Sequence, residues 1–67
     1  METHSFNSSL IDSMGRNGDN VVVNWKTGGS TEFYNVPENV WQDWRTAESV
    51  GKFYHANIKG QYDSKKL

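Results

Sequence analysis

The chain contains no cysteine, only one proline and no long run of apolar residues. Without cysteine, disulfide bonds cannot stabilise its 67 residues, and two histidines without a thiol do not make a zinc site. No stretch approaches the roughly 20 apolar residues that cross a bilayer, and the N-terminus lacks the pattern of a signal peptide. We therefore expect one cytoplasmic domain with no metal, no cofactor and no membrane contact.

The net charge is small, and the charged residues are unevenly distributed along the chain. The formal net charge is -1, which argues against a general binder of nucleic acid, DNA included. From Lys52 onward, however, four lysines stand against one aspartate, a local balance of +3, whereas residues 1–51 carry a balance of -4. An anionic ligand should therefore bind near the C-terminal third. The alternative is that these lysines only keep the chain in solution.

Strand patterns occupy the first half of the chain. VVVNWK at 21–26 and STEFYNV at 30–36 are rich in β-branched and aromatic residues, and the glycine-bearing turn TGG between them predicts a hairpin. SFNSSLIDSMGR at 5–16 precedes the turn NGDN and is assigned to a third strand, although its apolar spacing also suits a helix.

Helix patterns occupy the second half. Pro37 ends the sheet and suits the first position of a helix, PENVWQDWRTA at 37–47, which has a stripe of apolar residues. Ser49 is a preferred N-cap for a second helix that Gly60 ends. The expected fold is α+β: a three-stranded antiparallel sheet followed by two short helices packed on one face, in the order β-β-β-α-α.

The second helix is predicted by the helical spacing of Val50, Phe53, Tyr54, Asn57 and Ile58. A single domain accounts for residues 1–67, with a core over about 6–62 and flexible ends at 1–5 and 63–67. Three Trp, three Tyr and three Phe are more than one small core should hide. Trp44 and Phe53 are expected in the core, and some of the other rings are expected to face a partner or ligand.

Catalysis is not indicated, because no titratable residues stand together at a spacing typical of acid-base or nucleophilic chemistry. His55 is the best candidate base, but a lone histidine in an amphipathic helix is more often a surface residue. The pair Gly51-Lys52 does not form a Walker loop, which needs GxxxxGK[ST], since Phe53 follows the lysine. We therefore predict a non-enzymatic protein with no catalytic residue.

Ser49 and Lys52 at a helix start suggest an anion site, because the first turn of a helix has free N–H donors. The alternative is that Ser49 only caps the helix and Lys52 is solvated. Aromatic residues can add base stacking, and the best candidates are phenols that can face water, namely Tyr34, Tyr54 and Tyr62.

The order of these motifs resembles the KTSC domain family. The resemblance is carried by SSLIDSMGR, VVVNWKTGGSTEFYNVP and SVGKFYHANIKGQY and covers about residues 8 to 62. The matching positions are Ser8, Ser9, Ile11, Gly15, Gly29, Tyr34, Val36, Pro37, Ala47, Ser49, Gly51, Phe53, Tyr54, Ile58, Lys59 and Tyr62. Two positions depart from the family pattern: Arg16 stands where an aromatic residue often follows the glycine, and Trp25 is large for the hairpin.

The family includes an appendage of some lysyl-tRNA synthetases and stand-alone small proteins of bacteria and phages. For the stand-alone phage forms, the resemblance implies anti-defence sponges, which bind the cyclic nucleotide signals of CBASS immunity in the host cytoplasm without degrading them. We therefore hypothesise a homo-oligomer, a dimer or tetramer, that sequesters a cyclic di- or trinucleotide. A pocket shared across a dyad would match the near two-fold symmetry of a cyclic dinucleotide.

The predicted ligand-binding residues of this sponge are Arg16, Tyr34, Ser49, Gly51, Lys52, Tyr54, Asn57 and Lys59. Ser49, the Gly51 amide and Lys52 would hold phosphate, and Arg16 or Lys59 would supply a second charge. Tyr34 or Tyr54 would stack on a base, and Asn57 would hydrogen-bond its edge. Two other functions stay open: an RNA- or protein-binding accessory module like the synthetase appendage, and an oligomeric inhibitor of a host enzyme.

Overall fold

In the part of the chain that the structure describes, five antiparallel strands form a meander in chain order, with the helices inserted before the last strand. The fold is that of a computed structural model, which describes the backbone of residues 2–5 and all of residues 9–67. The strands are β1 (Glu2–Ser5), β2 (Ile11–Asn17), β3 (Asn20–Trp25), β4 (Ser30–Phe33) and β5 (Ser64–Lys66). The helices are α1 (Glu38–Arg45) and α2 (Val50–Phe53), which continues as a π-helical segment (Tyr54–Ile58). The predicted α+β class is confirmed.

The predicted number of three strands was wrong. The predicted strands correspond to β2, β3 and β4, and the two ends of the chain add β1 beside β2 and β5 beside β4. The sequence predicts flexible ends at 1–5 and 63–67, because ETHS and SKK have no apolar alternation. Edge strands need none, since they are held by backbone hydrogen bonds and commonly carry polar or charged side chains. Residues 6–8, which begin the predicted core and include the motif residue Ser8, lie outside the described residues.

A β-bulge explains why the first predicted strand was ambiguous. The register between β2 and β3 shifts between Ile11 and Ser13, so one extra residue stands opposite β3. The bulge lets Ile11 and Met14, three positions apart, both be buried in the same core. In sequence this spacing looks helical, because an unbroken strand buries every second residue.

The core lies between the helices and one face of the sheet. It consists of Ile11, Met14, Val21, Val23, Phe33, Val36, Trp41, Trp44, Val50 and Ile58, each at most 4% exposed. The predicted burial of Trp44 is confirmed, and Phe53 packs against the core while half-buried. The indole N–H of Trp44 donates to the Val50 carbonyl at 3.1 Å, which ties α1 to the start of α2.

The opposite face of the sheet is polar. Asn24 Nδ2 donates to Ser13 Oγ at 2.9 Å, and Ser30 Oγ donates back to Asn24 Oδ1, which links β2, β3 and β4. These cross-strand bonds satisfy side chains that the helices do not cover. The sheet therefore buries one face only, as predicted.

The second helix widens after Phe53. The amide of Lys59 donates to the Tyr54 carbonyl at 2.8 Å, a five-residue step typical of a π-helix. The wider turn buries Ile58 and leaves Asn57 exposed. Gly60 follows with a φ of 78°, and the predicted glycine end of the helix is confirmed.

The Trp, Tyr and Phe side chains are divided between the core and its margin. Among residues 9–67, Phe33, Trp41 and Trp44 are buried and the remaining rings are half-buried. The exposed large apolar side chain in this part of the chain is Leu67, at 63%. In the same part of the chain, no helix has the length and apolar character of a membrane span.

Candidate functional site

A shallow cleft of about 280 Å³ opens where the end of β4 meets the segment that leads into β5. Its lining consists of Tyr34, Asn35, Gly60, Gln61, Tyr62 and Asp63. The two tyrosines are half-buried, and the other lining residues are exposed. Two phenol rings, two carboxamides and one carboxylate suit a flat aromatic ligand with polar edges.

Backbone hydrogen bonds hold the walls of this cleft in place. The Tyr34 amide donates to the Asp63 carbonyl at 2.9 Å, and the Gln61 amide donates to the Ile58 carbonyl at 2.9 Å. On the other wall, the Asn35 amide donates to Asn20 Oδ1 at 3.2 Å, with Asn35 in the left-handed region at a φ of 56°. Hydrogen bonds within the protein thus position the backbone of the lining residues.

Arg16 binds the backbone next to the cleft residue Asn35. Its guanidinium donates to the Val36 carbonyl at 3.2 Å and lies 3.9 Å from the Asp19 carboxylate, and its side chain is 16% exposed. The Val36 amide in turn donates to the Asp19 carbonyl at 2.8 Å. These contacts give Arg16 a structural role in joining the β2–β3 turn to residue 36. Its predicted role as a second charge for a ligand stays a prediction.

Ser49 forms the predicted N-cap of α2. Its side chain accepts a hydrogen bond from the Lys52 amide at 3.2 Å, while Val50 and Gly51 are buried. The cap therefore uses the Lys52 amide, one of the free N–H donors in the first turn of α2. The side chain of Lys52 is exposed and carries the positive charge there. These contacts fit the alternative in which Ser49 only caps. The phosphate role of Ser49, Gly51 and Lys52 stays a prediction.

Tyr54 lies within a group of aromatic rings. Its ring centroid is 5.2 Å from Trp25, 5.8 Å from Phe33, 6.3 Å from Trp44 and 5.2 Å from His55. A ring with four aromatic neighbours has less surface left for a base than Tyr34 or Tyr62 in the cleft. The predicted stacking role of Tyr54 stays a prediction, and the cleft tyrosines are the better placed candidates.

The structure divides the predicted site. Ser49, Gly51 and Lys52 lie together at the start of α2, whereas Tyr34 is in the cleft, and Lys59 directly precedes the cleft residue Gly60. Asn57 is exposed on the π-helical segment, where its Nδ2 lies 3.5 Å from the Phe53 carbonyl oxygen.

Sequence reasoning missed four cleft residues, Asn35, Gly60, Gln61 and Asp63. Two of them could have been found from their residue types, because Asn and Gly are typical of left-handed turn positions. Asn35 stands before Val-Pro, and Gly60 begins GQYD. Among the described residues, no group of three or more His, Asp or Glu could hold a metal ion.

A sequence model of the KTSC domain family matches residues 7–62. The chain belongs to the KTSC domain family. The resemblance drawn from the motifs is thus confirmed over most of the chain. No curated protein matches this KTSC domain significantly.

A crystal structure of a KTSC domain protein from Yersinia pestis is similar to this chain, with a TM-score of 0.91 and 28% sequence identity. The match covers 98% of this chain and 96% of that chain. The sheet, the covering helices and the connection between them therefore form a fold that the two KTSC domain proteins share.

The KTSC-like motif residues have two different locations. Ile11, Val36 and Ile58 are buried in the core, where they hold the sheet against the helices. Tyr34 and Tyr62 instead line the cleft. Packing in the core therefore explains only some of the KTSC motif residues. Two of its aromatic residues, Tyr34 and Tyr62, lie together in the accessible cleft instead.

Proposed function

We propose that this KTSC domain protein binds and sequesters a cyclic oligonucleotide immune signal of the CBASS type and releases it unchanged. It would then act as a phage anti-defence sponge in the host cytoplasm. The observation that carries the proposal is the cleft in which Tyr34 and Tyr62, far apart in sequence, stand beside a lysine-rich segment.

The cleft supports binding of a base. Stacking of a nucleobase on an aromatic side chain contributes about 1–3 kcal/mol and requires an accessible ring. Tyr34 and Tyr62 are half-buried, so their rings are already ordered and only partly hydrated. The carboxamides of Asn35 and Gln61 add donors and acceptors for the edge of a base.

The charge around the cleft supports binding of phosphate outside it. Lys59 directly precedes Gly60, and Lys65 follows two residues after Asp63; both lysines are exposed. No cation lines the cleft itself. A bound cyclic nucleotide would therefore place a base in the cleft and its phosphates toward these lysines, with Lys52 as a further candidate.

The cleft lining also supports binding without hydrolysis. Cleavage of a phosphodiester requires a general acid and base, or a metal, close to the reacting phosphate. The six lining residues include one carboxylate, Asp63, and no histidine or lysine. We accordingly propose a non-enzymatic role in which the ligand is held out of reach of its receptor.

The size of the cleft supports a shared site. Pockets that enclose a small ligand usually have about 300–1,000 Å³, so about 280 Å³ would hold one base and leave most of a cyclic dinucleotide uncovered. A second copy related by a dyad would supply the same cleft to the second base. The edge strands β1 and β5 are available for contacts between copies. The proposed active species is therefore a homo-oligomer, a dimer or tetramer.

Calorimetry with sizing by light scattering tests the proposal. The titrants are cyclic di-GMP, cyclic di-AMP, cyclic GMP-AMP and cyclic tri-AMP, with a linear dinucleotide of the same bases as the matched control. We expect saturable binding of at least one cyclic ligand, with about one dinucleotide per two subunits. Heats indistinguishable from dilution for all four, or equal binding of the linear control, would contradict sequestration.

An RNA-binding accessory module is the second candidate function, and the four exposed lysines after residue 51 favour it. Binding through the phosphate backbone would weaken steeply with salt and would not saturate at one small ligand per site. Titration with single-stranded RNA at two salt concentrations separates it from the sponge. A third hypothesis, inhibition of a host enzyme through exposed aromatic residues, has less support, because the described Trp, Tyr and Phe rings are buried or half-buried.

A further inference from the structure

We infer that the cleft is a base subsite with a preference for guanine. The Asp63 carboxylate accepts hydrogen bonds from the Watson–Crick edge of the base, and Tyr34 and Tyr62 stack on its ring. This inference rests on the proposed function and specifies the ligand that it takes. It follows from the chemistry of the cleft lining, from the fixed position of Asp63 and from the placement of the lysines outside the cleft.

The Asp63 backbone is fixed while its side chain is available. Its carbonyl accepts from the Tyr34 amide at 2.9 Å, so Asp63 sits at a set distance from the opposite wall. Its carboxylate is exposed, and no described residue pairs with it or donates to it. Within the part of the chain that the structure describes, this acceptor has no structural partner, which leaves it free for a ligand.

A carboxylate only accepts hydrogen bonds, so it favours a base that presents donors to it. Guanine presents two adjacent donors, N1–H and the N2 amino group, which a carboxylate can accept together. Adenine presents one donor beside the N1 acceptor, so one carboxylate oxygen would face a lone pair. This mismatch leaves a charged group unpaired and disfavours adenine.

The remaining lining groups complement guanine as well. Asn35 and Gln61 carry amide N–H groups that can donate to the O6 and N7 acceptors of guanine. The tyrosines offer ring faces, and the absence of a cation from the lining keeps phosphate at the rim, near Lys59. The cleft therefore fits a guanine-containing cyclic dinucleotide better than an all-adenine ligand.

The test compares cyclic di-GMP with cyclic di-AMP by calorimetry on three proteins. We expect the wild type to bind cyclic di-GMP about tenfold or more tightly than cyclic di-AMP. Asp63→Asn should remove most of this preference, because an amide presents a donor where the carboxylate accepts from guanine. Asp43→Asn, a change of another exposed aspartate on α1, should keep it. Melting temperatures of both variants confirm that they are folded.

The outcomes separate this inference from the proposed function. If cyclic dinucleotides bind without base preference, or if Asp63→Asn leaves the preference intact, the guanine subsite is refuted and sequestration stands. If no cyclic di- or trinucleotide binds but GMP, and not AMP, shifts the amide resonances of Gly60 and Gln61, sequestration is refuted and the subsite stands. If neither probe binds, both are refuted.

Discussion

Substitution of Ser49 by aspartate separates helix capping from phosphate binding. Ser49 accepts from the Lys52 amide at 3.2 Å, and aspartate is an equally good cap with a charge that suits a helix start. Ser49→Asp should therefore keep the stability of the fold. It also places a negative charge beside Lys52, where the sequence predicts phosphate. We expect the affinity for a cyclic dinucleotide to fall about tenfold or more, a loss of about 1.4 kcal/mol.

Alanine at the same position gives the magnitude of the cap alone. Loss of an N-cap side chain costs about 1 kcal/mol, within a range of about 0.5–2 kcal/mol. A domain of this size has a free energy of unfolding of about 3–10 kcal/mol. Each kcal/mol lowers the melting temperature by about 4–8 °C. Ser49→Ala should therefore melt several degrees below the wild type, and Ser49→Asp should not.

Asn39→Asp is the matched charge control, because Asn39 is exposed in the first turn of α1 and gains the same charge away from the predicted phosphate. Thermal denaturation and calorimetry on the wild type and the three variants complete the experiment. If Ser49→Asp binds as tightly as Asn39→Asp, the phosphate role of Ser49, Gly51 and Lys52 is refuted and Ser49 is a cap only. If Ser49→Asp melts as low as Ser49→Ala, the capping geometry is refuted.

Three further predictions concern the core, the cleft and its charge. Trp44→Phe should destabilise the fold by about 2–4 kcal/mol, since it removes the larger ring and its indole hydrogen bond to the Val50 carbonyl from the core. Trp25→Phe should destabilise the fold by less, since Trp25 is half-buried and its acceptor is the Thr31 hydroxyl. Urea denaturation checks the order. Asn35→Ala should lower the free energy of unfolding by about 1–2 kcal/mol, because alanine is strained at a φ of 56°. Asn35→Gly should lower it by less, because glycine adopts this φ readily; melting experiments compare the two variants. Lys59→Gln should weaken cyclic dinucleotide binding and flatten its salt dependence in calorimetry, whereas an unchanged salt dependence would exclude a phosphate contact.

The sequence predicts the parts of this fold that local chemistry determines. The hairpin around TGG, the helix after Pro37, the Ser49 cap and the Gly60 end are all found. The edge strands β1 and β5 escape prediction, because pairing through the backbone leaves no apolar pattern in ETHS or SKK. The π-helical segment also escapes it, because α-helical and π-helical turns place apolar residues at similar spacing.

The cleft could be predicted only in part. Tyr34 belongs to the motif, but Asp63 lies 29 positions further along the chain and reaches the cleft through the hydrogen bond between Asp63 and the Tyr34 amide. That contact depends on β5 pairing with β4, which is the strand that sequence reasoning missed. The ring neighbours of Tyr54 and the Val36 carbonyl that Arg16 binds could not be predicted from the sequence either, because they too depend on contacts between distant parts of the chain.

The most direct test of sequestration is recovery of the ligand. Each of the four cyclic nucleotides is mixed with excess protein, and the free ligand is measured after filtration. The complex is then heated, and the released nucleotide is analysed by chromatography. We expect at least one free cyclic nucleotide, cyclic di-GMP first among them, to disappear on mixing and to return intact after heating. Sequestration would be contradicted if all four ligands stay in the filtrate, or if a bound ligand returns as a linear product.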